Sequence, residues 1–533
     1  MDLSHSPVLG IVGVILGAGI VSLTGRLIGL GLADLKGNIG IAFDDGAWIS
    51  SAYNVALMFI GPFSVYLGGL LGPRRVLLWC AGLFALIAAY LPVVHSYSLL
   101  IALLAVGGLT SGTFYPLTLT FALKSLPLRY LALAIALYAV CIEAAVNFAP
   151  SIFGFCRNEL SWRWMFWIPA LLTPMMMACI YFGIPRSPKL DCKKQPPSFV
   201  GFFYLSASFA LLFAAIDQGE RLDWWRSGTF TALFTSGILL LLFSSARRLR
   251  SPNFLVDLPY LRKWNTILLA VALFTFRFVL LATIIIIPQS LAVRGLDPQQ
   301  YGPAVLWTAM VELFLAFVGA LLLYRGIDNR LLMAIGFAAV AFACLINANF
   351  TSVWVPENYF RSELLMGVGQ SLAMMGLVSS LVLQAAASGA LQAPQRALTF
   401  AAFFHTVRLL GGEVGVAAMG HFINQREKLH SNLLGLHVQS GAWVTDGTLR
   451  RLAAGLSAKS GGLVAATSGA AEIIDGKLRL QAYSLTFIDG FYLVAWACAG
   501  MLLLTAILRK PPLTFAELSL LQQRLTSTQR KNS

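Results

Sequence analysis

RYLALAIALYAVCIEAAVNFAPSIFGF (129–155) runs into CRNELSWRWMFWIPALL (156–172) and on through a second apolar run to Ile184. The two apolar segments are joined by a short turn carrying Arg157, Glu159 and Arg163. About 20 apolar residues cover the roughly 30 Å hydrocarbon layer as a helix, so each segment is long enough to cross a bilayer. Inside the first lie Glu143, Asn147 and Pro150. A carboxylate at that depth is costly, and it normally faces a bundle interior or a water-filled path. The unit is a helical hairpin with buried polar groups, the kind of element from which transporters are built.

The rest of the chain agrees with it. Of 533 residues, 58% are hydrophobic and 11% charged, against about 25% charged in a soluble domain. The composition is that of a polytopic membrane protein. The net charge of +15 does not indicate nucleic acid, because the basic residues sit in short turns between apolar runs, as the positive-inside rule requires. Zinc-finger spacing, a glycine-rich phosphate loop and a long basic arm are all missing. Seven cysteines form no CxxC, and their odd count fits no disulfide framework. His421 and His430 fit no metal-ligand pattern, and the Ser, His and Asp residues have no nucleophile-elbow context. Neither a metal nor another cofactor is expected, nor a soluble enzyme. The first apolar run, from Pro7, lacks a basic leader and reads as a retained helix.

Fourteen candidate spans follow: 7–33, 47–71, 75–94, 98–123, 129–155, 164–184, 199–218, 229–246, 265–290, 301–324, 331–349, 362–388, 397–423 and 486–508. An even number puts both termini on one side. Arg74, Arg75, Lys124, Arg129, Arg186, Lys189, Lys193, Lys194, Arg262, Lys263, Arg325, Arg330, Arg509 and Lys510 make that side cytoplasmic by charge bias. The segment 244–264 reads as a basic linker. Residues 424–485 form the one long external loop: an amphipathic stretch QREKLHSNLLGLHV, then glycine-rich sequence in which Asp475-Gly476 can turn a short hairpin. Such a loop can shield the outer mouth or meet a partner, or it can vary freely.

Several motifs stand in one order along the chain. Ala47-Trp48-Ile49-Ser50-Ser51-Ala52-Tyr53 opens the second span, and Gly112-Thr113-Phe114-Tyr115-Pro116 lies in the fourth. Ser161-Trp162-Arg163-Trp164-Met165-Phe166, followed by Pro169, turns into the sixth. Arg408-Leu409-Leu410-Gly411-Gly412-Glu413-Val414-Gly415 lies in the thirteenth, and Gln481-Ala482-Tyr483 leads to Asp489. In this order the chain resembles the major facilitator superfamily, specifically its fourteen-span drug:proton antiporter branch. The resemblance implies an all-α polytopic fold of two six-helix bundles plus two inserted helices. Its expected parts are an N-terminal bundle (1–190), two additional spans with a linker (191–263), and a C-terminal bundle with the external loop and a cytoplasmic tail (264–533). It also implies rocking of the halves around a midplane cavity. The chain departs from the pattern at Gly25-Arg26, where the branch carries an acidic first-span segment, and at Gly72-Pro73-Arg74-Arg75, where a carboxylate is missing. The fifth-span signature is reduced to Ala149-Pro150 and Gly154.

Arg26 and Arg277 occupy the first helix of each implied bundle. An unpaired arginine in lipid costs at least about 2.5–3.5 kcal/mol on insertion scales, so each demands an anion, from the protein or from cargo. A guanidinium matches carboxylate or phosphate with a bidentate fork. Glu143, Asn147 and Pro150, at spacings of four and three, share one helix face. Glu143 either pairs with an arginine or carries a proton, and Glu312, in TAMVELFLAF, is the second proton-site candidate. Asn147, Tyr138 and His405 are further cavity candidates. His405 and Arg408 share a face, whereas Glu413 lies well round the helix. Pro150, Gly154, Arg408, Gly411, Gly412 and Glu413 are assigned to gating and packing. Asp34, Asp217 and Asp489 fall near external span ends, where capping or mouth contacts are expected.

The expected function is proton-coupled export of an amphipathic, anionic small molecule or lipid-like compound across the bacterial inner membrane. Protons and membrane lipids are the other expected partners, and 424–485 is the place for a periplasmic adaptor protein. The alternatives are cationic multidrug efflux by proton antiport, and a membrane-embedded lipid-handling enzyme or transporter-like scaffold.

Overall fold

The computed structural model describes residues 6–126, 128–184, 199–250, 263–388, 394–439, 441–457, 462–511, 514–515 and 517. Expected inside-facing Arg186, Lys189, Lys193, Lys194 and Arg262, and Cys192, lie outside the described residues.

The chain begins with α1 (Pro7–Leu30), the short α2 (Leu32–Ile39), α3 (Phe43–Leu71) and α4 (Pro73–Tyr90). The expected fourth span is two helices, α5 (Tyr97–Ser111) and α6 (Phe114–Ser125), broken at Gly112-Thr113. A Cβ on Gly112 would meet the Ile60 side chain at 2.3 Å, so glycine there lets α3 pass close to the break. The opening stretch becomes α7 (Leu128–Phe155), which runs through Pro150 and ends in a π turn, Cys156–Leu160. Next come α8 (Trp164–Gly183), α9 (Phe199–Gly219) and α10 (Gly228–Arg250).

The expected ninth span is α11 (Trp264–Val279), a π turn over Ala282–Ile286, and α12 (Ile287–Ala292). Then follow α13 (Pro298–Tyr324), α14 (Asn329–Asn347) and α15 (Phe360–Ala387). Pro298 at the first turn and a capping box between Asp297 and Gln300 start α13. The last elements are α16 (Pro394–Gly435), α17 (Trp443–Ser457) and α18 (Leu463–Ile507).

Helices α1, α4 and α5 pack with α8, α7, α6 and α3, and helices α11, α13, α14 and α15 pack with α16 and α18. The two groups meet where α7 lies along α13 and α15, and where α16 crosses α3 and α6. The pair α9–α10 leans on α3 and, through α9, on α16. This is an all-α polytopic membrane fold of two bundles.

Twelve described helical segments are long and apolar enough to cross a membrane. The other two expected spans, 47–71 and 397–423, fall within the long packed helices α3 and α16.

The expected external loop requires correction. Helix α16 continues to Gly435, α17 is a separate helix, and α18 starts at Leu463, so most of 424–485 is helical. Asp475-Gly476 lies inside α18 rather than in a hairpin turn. Local composition suggested the turn, but a continuous helix satisfies its own backbone, and Asp475 pairs with Arg479 four residues on at 3.0 Å. Helix α17 packs on α18 through Ala453, Ala466 and Ala470.

Candidate functional site

Where the two helix groups meet, polar side chains converge in a buried row. Arg277 on α11 donates through one terminal nitrogen to both oxygens of Glu143 on α7, at 3.0 Å each. One turn along α7, Asn147 donates to both oxygens of Glu312 on α13, at 3.1 Å each, and lies 3.4 Å from Gln370 Oε1 on α15. Gln370 in turn donates to Thr283 in the α11–α12 π turn at 3.1 Å. Glu143, Asn147, Glu312 and Gln370 are all at most 3% exposed. The spacing of four between Glu143 and Asn147 gives both the same face, and the close passage of α13 turns that face into a junction of four helices. Glu143 therefore takes the ion-pair geometry. Glu312, by contrast, is bound by an amide.

A second cluster lies beside it. The Arg408 guanidinium on α16 sits 4.2 Å from the Tyr115 ring centroid, and the His405 ring lies 4.9 Å from the same ring. Ser22 bonds the Tyr115 hydroxyl, and Tyr138 donates to the Tyr115 carbonyl at 3.4 Å. His405 and Arg408 thus share a face, as their spacing of three requires. Tyr138 is fully buried and spent on this contact rather than lining an open path. Arg277 and Arg408 are close enough to act on each other electrostatically, with Glu143 acting on both. The Nε atoms of both arginines are buried without a hydrogen-bond partner.

Arg26 does not join Arg277 on a shared anion. It crosses from α1 to donate to the Ile284 carbonyl at 2.7 Å. The π turn widens the helix there and frees a carbonyl for it. No sequence signal marked that turn. Glu413 faces Asp217 on α9, away from the Arg408 cluster, while Asp217 also takes the Ser51 hydroxyl.

The glycines set how closely the helices approach. A Cβ on Gly411 would lie 3.0 Å from the Phe274 backbone, and one on Gly412 would lie 3.3 Å from the Arg277 guanidinium. Gly154 lies against the backbone of Gln299, which an added Cβ would meet at 2.4 Å. At that end Arg157 reaches Asp34 at 3.4 Å and Asp297 at 3.3 Å. Asp489 takes Arg426 at 2.6 Å and His430 at 2.8 Å. Asp34 thus pairs at a helix start, whereas Asp489, for which a cap was expected, lies inside α18 and takes ion pairs instead, because that helix continues from Leu463.

Sequence reasoning passed over Glu363 and Tyr115. Glu363 stands in the first turn of α15, where an acidic residue reads as a helix-end feature, yet it is fully buried with Thr308 on α13 as its partner.

The chain is 23% identical over 406 residues to the fatty acid resistance protein FarB of Neisseria gonorrhoeae, covering 76% of this chain and 78% of the relative. It is 23% identical over 425 residues to the multidrug export protein EmrB of Haemophilus influenzae, covering 78% and 80%. Among solved structures, the proton:xylose symporter XylE superposes with a TM-score of 0.53 at 10% identity, covering 96% of this chain and 98% of that one. The human organic anion transporter MFSD10 gives 0.50 at 15% identity, covering 92% and 98%. These likenesses carry the fold. Residues 14–416 match the model of the Major Facilitator Superfamily, and the chain, a multi-pass membrane protein and secondary transporter of small molecules, belongs to that family.

Proposed function

We propose that the chain exports amphipathic small molecules in exchange for protons, with the breadth of a drug exporter rather than one anionic cargo. The observation that carries this reading is Glu312: a fully buried carboxylate bound by the Asn147 amide, one helical turn from a carboxylate already paired with Arg277. A buried acid without a paired cation changes its proton affinity when the site opens to water, which is the property antiport needs. Two multidrug export relatives, from Haemophilus influenzae and Escherichia coli, support the breadth. The fourteen-span branch remains part of the reading, with α3 and α16 counted beside the other twelve and α9 and α10 as the two inserted spans. The proposed setting is the bacterial inner membrane, both termini cytoplasmic, supported by Arg74, Arg330 and Lys510 at one end of the helices. The helical extension around α17 is the proposed meeting place for a periplasmic adaptor.

The test is transport by proteoliposomes under an imposed pH gradient, with ethidium as cationic probe and laurate as anionic probe. Gradient-driven movement of ethidium, reduced at least about tenfold in E312Q, supports the proposal; movement indifferent to the gradient in the wild type sinks it.

A second reading, preference for an anionic head group, draws on the cluster itself. Arg277 and Arg408 share Glu143, which leaves one cation in excess. Loss of laurate transport alone in R408Q would favour it.

A further inference from the structure

Resting on the proton-exchange reading, we propose that Glu363 is a second proton-binding site, held by the Thr308 hydroxyl and coupled through its charge to Glu312. Glu363 is completely buried. One carboxylate oxygen accepts from Thr308 Oγ1, and the other, Oε1, has no hydrogen-bond partner. A carboxylate at a helix start gains from the backbone dipole, but this does not account for burying it with an open oxygen. An unsatisfied buried acceptor is costly, and a proton on Oε1 removes the charge that makes this position so.

The row then continues inward. Thr308 and Glu312 are four apart on α13 and stand on one face. Glu312 meets Asn147, and Asn147 stands one turn from Glu143 on α7. Glu363 and Gln370 are two turns apart on α15, roughly 10 Å of helix rise, so both ends of the row are fixed to the same helix. The titratable groups facing Glu363 are Glu312 on α13, Cys344 on α14 and Tyr359 just before α15, with Arg294 beside Tyr359. Among the described residues no ion pair joins a cation to Glu363 or Glu312.

The Thr308 hydroxyl donates to Glu363 Oε2, which leaves Oε1 as the oxygen that takes and releases the proton. Charge on either buried carboxylate disfavours charge on the other, so a proton gained by one eases release from the other. Glu363 stands in the first turn of α15 and Thr308 in the first half of α13, the half that begins beside Asp297 and Arg157, so Glu363 is placed to exchange protons with that side.

The experiment uses the full chain in proteoliposomes, with ethidium as probe and internal pyranine reporting proton movement. E363Q should lower gradient-driven ethidium transport and the coupled proton flux at least about tenfold, E363D should recover most of both, and T308V should slow them while T308S does not. Ethidium exchange at equal pH, which needs no net proton transfer, should remain within about threefold in E363Q. Three results overturn the proposal. One is gradient-driven transport unchanged in E363Q while E312Q loses it, which leaves the proton-exchange reading standing. Another is equal loss of exchange and driven transport, unrescued by E363D, which makes Glu363 structural. The third is a wild-type protein indifferent to the pH gradient, which removes both readings.

Discussion

Arg277 bonds both carboxylate oxygens of Glu143 at 3.0 Å, joining α11 to α7 across the boundary between the bundles. Glu143 is 2% exposed, so its charge has almost no water to fall back on. Removing one partner of a buried pair costs about 3–5 kcal/mol, while replacing both by apolar groups is often neutral. R277A should therefore lower the melting temperature in detergent markedly. The double variant E143L/R277M should recover most of that loss, as read by thermal unfolding of the purified protein.

Gly154 governs closure at the Arg157 end. Its hydrogen faces the Gln299 backbone, which a side chain would meet at 2.4 Å. Backbone cannot swing aside as a flexible side chain does, and overpacking of this kind costs about 1–3 kcal/mol. G154V should hold α7 and α13 apart and expose the nearby Ser151 position. The check is maleimide labelling of S151C, which should speed several-fold, by about the factor that such an energy implies, in the G154V background.

Glu220, outside the spans, ties the α9–α10 turn to α16 through His421 at 2.8 Å, Asn424 at 2.9 Å and Trp224 at 3.0 Å. Burial works against its charge, but the Asn424, His421 and Trp224 hydrogen bonds outweigh this and hold its carboxyl below the usual value of 4.5. A depressed acid contributes its stabilisation above the unfolded value and loses it as pH falls through the folded value. Slower hydrogen exchange at residues 420–424 in wild type than in E220Q should be present at neutral pH. The difference should fade as pH drops below 4.5.

Helix α17 rests on α18 through Ala453, Ala466 and Ala470, with Leu449, Leu452 and Leu456 packed against them. This small cluster is separate from the main core, so its loss should leave the bundle intact. Replacing Trp443–Ser457 by a Gly/Ser linker should leave ethidium transport in proteoliposomes within about twofold of wild type. Loss of drug extrusion from cells by the same variant would place a partner on this extension.

Much of this protein was legible from order along the chain. Apolar runs of bilayer length, the polar residues Glu143, Asn147 and Glu312 within them, and the glycines of α16 are local features, and water and lipid sort them before any packing occurs. The spacing of His405 and Arg408 foretold a shared face for the same reason: a helix repeats every 3.6 residues whatever surrounds it. What the tertiary structure decided was pairing. Whether Glu143 or Glu312 would meet an arginine depends on which helix crosses which, and their positions in sequence are 134 and 165 residues from Arg277 and Asn147 respectively. The π turn that draws Arg26 to Ile284, the burial of Glu363 beneath Thr308 and the helical course of 424–485 lay beyond sequence reading too. In each case the deciding energy is a contact between distant segments, which no local pattern records.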